Sequence, residues 1–177
     1  MNARASIPRI ALAALPLAAG LAWAPAQSAT RVAGTFSGTI ANQHASPVAD
    51  APMHAVTLTE WSGTNRSTGT AEYMSGGQVT NVETSDLAQG SGPHQGYITF
   101  VSGADTTISK WSGKVTTVLG PDKQPATTLE GTWTMATGTG RYRGASGQGT
   151  YKGRMLSARE STVDWQGELT GIKVARK

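Results

Sequence analysis

A chain with no cysteine must draw its chemistry from histidine, carboxylates, hydroxyls and aromatic surfaces. Three histidines are present, His44, His54 and His94. No two stand at i, i+2 or i, i+4, and no thiol can complete a zinc site, so no metal is expected. His44 sits in a proline-bordered segment and His94 follows Pro93, and both read as solvated loop residues. His54 shares a strand face with Val56, Leu58 and Glu60, but Glu60 lies about 20 Å along an extended chain and cannot pair with it. The carboxylates Glu72, Glu83, Asp86, Asp105, Glu130 and Asp164 fall on separate segments, with no local pair of the glycosidase kind. No Gly-x-Ser-x-Gly elbow marks a serine nucleophile.

The run Glu130 to Gly153 is rich in glycine and carries Arg141, Arg143 and Lys152, which invites a phosphate-loop reading. Gly138-x-Gly140 lacks the third glycine of a dinucleotide fingerprint, since Arg143 stands in its place. No Gly-Lys-Ser/Thr follows, and no helix opens after the turn. No cofactor is implied. The strongest candidates for binding are the tryptophans Trp61, Trp111, Trp133 and Trp165, because aromatic walls line pockets for apolar or ring-bearing ligands. Glu60 and Glu130 are the candidate carboxylates beside them.

Positioning these residues falls to what remains after the N-terminus is set aside. Arg4 and Arg9 precede an apolar run from Ile10 to Ala22, and Ala24-Pro25-Ala26 supplies a small-x-small cleavage pattern. Pro25 is a poor first mature residue, so the cut is expected after Ala26, giving a signal peptide over 1–26 and a domain over 27–177. The apolar run falls short of the roughly 20 residues that span a bilayer and is interrupted by Pro16. The expectation is export to the periplasm or the medium, with no membrane span after cleavage. Removing Arg4 and Arg9 leaves 13 basic residues against 11 acidic, a net +2. Apart from the group at Arg141, Arg143, Lys152 and Arg154 these charges are scattered, and nucleic-acid binding is not expected.

No mature window carries a sustained 3.6-residue apolar period. Apolar residues recur every second position instead, the mark of strands. Strands are predicted over Arg31 to Ile40, Met53 to about Gly63, Thr70 to Met74, Gln78 to Asp86, His94 to Ser102, Thr106 to Leu119 as one bent strand, within Glu130 to Gly153, and over Ser161 to Val174. Ala41 to Pro52, with two prolines, reads as a loop. About eight strands at short spacing define an all-β class, an antiparallel barrel or sandwich.

A recurring aromatic-x-Gly frame favours the barrel. It occurs at Phe36/Gly38, Trp61/Gly63, Trp111/Gly113, Tyr142/Gly144, Tyr151/Gly153 and Trp165/Gly167. Residues two apart share a face, so each frame places a large ring beside a bare backbone. Coiled sheets use glycine to bend and an aromatic to cover a glycine on a neighbouring strand.

The stretch Thr137-Gly138-Thr139-Gly140-Arg141-Tyr142-Arg143-Gly144-Ala145-Ser146-Gly147-Gln148-Gly149-Thr150-Tyr151 resembles the glycine-rich signature of the allene oxide cyclase/dirigent-like superfamily, in particular its exported bacterial members. The likeness covers about Leu129 to Gly153. It implies a single small eight-stranded antiparallel β-barrel with an apolar cavity, often a homotrimer. Plant members cyclise a fatty-acid epoxide or steer phenoxy-radical coupling. Their acidic functional residues do not transfer to positions here, and the absence of cysteine departs from the cyclase branch. The leading expectation is a barrel that binds a small hydrophobic or aromatic ligand without catalysis. The alternatives are an isomerase or cyclase acting on an oxidised lipid or phenolic, and a structural oligomeric envelope protein with a filled lumen.

Overall fold

The computed structural model describes residues 28–172. The expected signal segment and the predicted end of the last strand at Val174 lie outside these residues. Eight antiparallel strands close into one barrel in sequence order. They are β1 (Thr30–Val48), β2 (His54–Ser67), β3 (Gln78–Ala88), β4 (Gly92–Ser102), β5 (Asp105–Leu119), β6 (Pro125–Gly138), β7 (Ser146–Met155) and β8 (Glu160–Thr170). Pairing of β1 with β8 closes the ring. No helix among the described residues is long and apolar enough to cross a membrane.

Alternation places the core. Val32, Phe36 and Ile40 of β1, Trp61 of β2, Val79 of β3 and Phe100 of β4 are buried, as are Gly34 and Gly38 on the same face of β1, while the intervening residues of β1 are more exposed. Val79 and Val82, of opposite parity, lie on opposite sides of an unbroken β3: Val79 is buried and Val82 exposed. β5 is one continuous strand, as predicted, with a register shift between Ile108 and Ser109 against β6.

Two predictions need correction. Ala41 to Val48 is not a loop but the far half of β1, paired with His54 to Glu60 beyond a register shift between Ile40 and Asn42. β8 pairs with β1 only as far as Thr39, so this half is an edge. An edge strand tolerates Pro47, whose missing N–H breaks no second ladder. Thr70 to Met74 is not a strand. It belongs to the β2–β3 connection, where a single bridge joins Ala71 to Val32.

That connection turns inward and closes one end of the barrel. Met74 is fully buried and Tyr73 nearly so. Asn65, also buried, donates from Nδ2 to the carbonyls of Tyr73 (2.9 Å) and Met74 (3.2 Å). The Tyr73 ring meets Phe100, Tyr142 and Trp165 edge to face at centroid distances of 5.2–5.8 Å. Tyr142 arrives on a short 3-10 turn, Gly140–Tyr142, between β6 and β7. The turn is tied to the start of β5 by Asp105, which accepts from the Arg141 backbone N–H (2.9 Å) and from Arg141 Nε (2.6 Å). The backbone hydrogen bond first, then the guanidinium, holds the Asp105 carboxyl below the usual carboxylate range.

Candidate ligand cavity and its polar seam

Above this plug the lumen holds a cavity of about 300 Å³. Its lining runs from Phe36, Tyr73 and Phe100 up to Leu87, Gly90 and Ala158 beside the hairpin turns at the opposite end, where it opens. Trp61, Trp111, Trp133 and Trp165 all line it. The two predicted carboxylates do not. Glu60 and Glu130 are exposed on the outer wall, because each adjoins an inward residue, Trp61 and Leu129, and side chains alternate along a strand.

The acidic group inside the lumen is Glu83. Its Oε2 accepts from Trp61 Nε1 at 3.0 Å and its Oε1 faces His94 Nδ1 at 3.0 Å. His94 Nε2 lies 2.9 Å from the Tyr151 hydroxyl. His94 is therefore not a loop residue in solvent but a buried member of the cavity wall, 4% exposed. Strand register explains the seam. Ser85 pairs with His94, so Glu83, two residues earlier on the same face, is the diagonal neighbour of His94. His94 then pairs with Gly113, Gly113 with Gly131, and Gly131 with Tyr151.

Two glycines thus separate Tyr151 from His94, and the phenol lies across both. A Cβ on Gly131 would sit 2.5 Å from the Tyr151 hydroxyl, and one on Gly113 would also collide with it. The same device repeats with Trp133, which covers Gly149 and Gly167 on the two strands beyond it. These rings cross to glycines on neighbouring strands, whereas the Phe36 ring covers both Gly38 of its own aromatic-x-Gly frame and Gly63 on β2.

Each of the four cavity tryptophans spends its N–H within the protein. Besides Trp61, Trp111 donates to Asn81 Oδ1 (2.8 Å), Trp133 to the Gln166 carbonyl (3.2 Å) and Trp165 to Asn65 Oδ1 (3.0 Å). With the Glu83 carboxylate at Nδ1, a neutral His94 ring carries its proton there, and Nε2 accepts the Tyr151 hydroxyl. Burial, then the charge of Glu83, pushes the Tyr151 phenol above its ordinary value, so it stays protonated. Such a carboxylate–imidazole–phenol chain can take up a proton at the phenol oxygen and pass its own to the ring.

His54 lies outside the lumen. Its Nε2 faces Asp86 at 2.5 Å and its Nδ1 faces Asp50. Among the described residues no cluster of three or more His, Asp or Glu could hold a metal ion. Arg141 is paired with Asp105, and Arg143, Lys152 and Arg154 are exposed.

No family model matches the chain, and no curated protein matches it. Two solved pterocarpan synthase dirigent proteins are similar in structure. GePTS1 is 13% identical, covering 88% of this chain and 96% of its own, with a TM-score of 0.44. PsPTS1 is 16% identical, covering 83% and 97%, with a TM-score of 0.43. The closed eight-stranded antiparallel barrel of this chain is itself the architecture expected from residues 129–153.

Proposed function

We propose that this protein is an exported container that holds one small apolar or ring-bearing molecule in its lumen. The cavity carries the reading: about 300 Å³, walled by four tryptophans, with the linked polar groups of Glu83, His94 and Tyr151 in its lining. Small-molecule sites have this character, roughly 300–1,000 Å³ and mostly apolar with a few convergent polar groups. The signal-like residues 1–26 support export to the periplasm or beyond. The test is native mass spectrometry of the purified mature protein, followed by titration with fatty acids and phenolics read by tryptophan fluorescence. A co-purifying ligand or saturable quenching is expected; neither appearing would sink the proposal.

Proton transfer on the bound molecule, as in an isomerase, is the second reading, and the Glu83–His94–Tyr151 chain favours it. Turnover abolished by His94→Gln with ligand binding retained would promote it over simple binding. We propose in addition that the barrel is a homo-oligomer, a trimer on the resemblance noted above. Leu58, Val82, Tyr97 and Val101 put apolar side chains on the outer face of β2–β4, each more than 40% exposed.

A further inference from the structure

We infer that the molecule held in the lumen is cationic, an apolar or aromatic body carrying a protonated amine, with Glu83 as its anchor. This rests on the lumen being a binding site, and it names the ligand class. Of the described residues lining the cavity, Glu83 is the sole carboxylate and none is lysine or arginine. Its side chain is only 14% exposed. Its two oxygens face the N–H groups of Trp61 and His94, both of which are neutral donors when the His94 ring is uncharged. A carboxylate in a site of low polarity calls for a balancing positive charge.

The walls point the same way. Ring faces attract cations through their quadrupole, most strongly those of tryptophan. Here Trp61, Trp111, Trp133 and Trp165 line the same cavity as the carboxylate, with their N–H edges already engaged by Glu83, Asn81, Gln166 and Asn65. An ammonium group would find one carboxylate oxygen pair and several ring faces. A carboxylate ligand would meet a like charge with no cationic side chain to offset it.

The test is calorimetric titration of the mature protein with three probes that share a ring and differ in one group: 1-naphthylmethylamine, 1-naphthylmethanol and 1-naphthoate. The amine is expected to bind about tenfold more tightly than the alcohol, since charge-assisted hydrogen bonds are roughly twice as strong as neutral ones, and the carboxylate more weakly than either. Glu83→Gln should bring the amine down to the alcohol, while Tyr151→Phe, which keeps the charge, should preserve the order. Circular dichroism establishes that both variants remain folded. An alcohol that matches or outbinds the amine overturns the inference. A carboxylate that binds best also overturns it, as does an amine preference that survives Glu83→Gln. In each of those cases the lumen still binds ligand. Failure of all three probes removes both the inference and the container reading beneath it.

Discussion

Tyr151 serves packing and polarity at once, and Tyr151→Phe separates the two. The ring continues to cover Gly131 and Gly113, while His94 Nε2 loses its partner. Leaving a buried polar group unpaired costs about 1–3 kcal/mol, so urea denaturation should show a loss in that range with an unchanged slope. His54 gives a different signature. The hydrogen bond to Asp86, then that to Asp50, raises its pKa above the ordinary imidazole value. The folded state therefore holds this proton more tightly than the unfolded chain. Its stabilisation is fully present below about pH 6.5 and lost as pH climbs through the raised value. Asp50, its pKa lowered mainly by the His54 hydrogen bond, contributes above the ordinary carboxylate range and loses that contribution on acidification. Melting temperature should thus decline on the alkaline side in the native protein, and His54→Gln should flatten that decline. Reading the residues by type alone missed both roles. Asp86 and His54 are 32 positions apart, and only the register of β2 against β3 brings them together. His94 was open to a parity argument, since it shares a face with Ile98 and Phe100, but its place after Pro93 suggested a loop.

At the scale of elements, strand spacing and the glycine frames disclosed the barrel because both follow from local alternation. The candidate site was less visible. Tryptophan positions followed from parity, whereas the Glu83–His94–Tyr151 seam is assembled from β3, β4 and β7 through two intervening strands. The far half of β1 escaped notice because Ala41 to Pro47 is exposed at every position, so no alternation marks it. Gly131→Ala tests the crossing of Tyr151 over β6. The added Cβ meets the phenol hydroxyl and the backbone of β5. Overpacking of this kind costs about 1–3 kcal/mol, and the variant should also perturb the tyrosine–histidine contact, seen as a shift of the His94 ring resonances. Asn65→Ala removes the tie between the plug and Trp165, exposing three hydrogen-bonding partners at once. Faster hydrogen exchange confined to residues 68–77 and their neighbours is the expected readout.

For the whole molecule, ring closure confines free sheet edge to strand ends such as the far half of β1, so association through the barrel wall uses side chains rather than strand addition. The outer face of β2–β4 supplies them. Val82 pairs with Tyr97, and Glu60 and Lys110 flank them in register. Light scattering should report an oligomer for the native protein and a folded monomer for Tyr97→Lys. A monomeric native protein would remove the proposed assembly and leave the lumen untouched. The plug has a consequence for traffic. With Tyr73, Met74 and Tyr142 sealing the floor, the lumen is a cul-de-sac. Whatever enters must back out by the same door, so a resident molecule blocks its successor until it departs. Exchange would then depend on how quickly the occupant leaves, however abundant the newcomer, and the barrel would behave as a slow-release reservoir instead of a conduit.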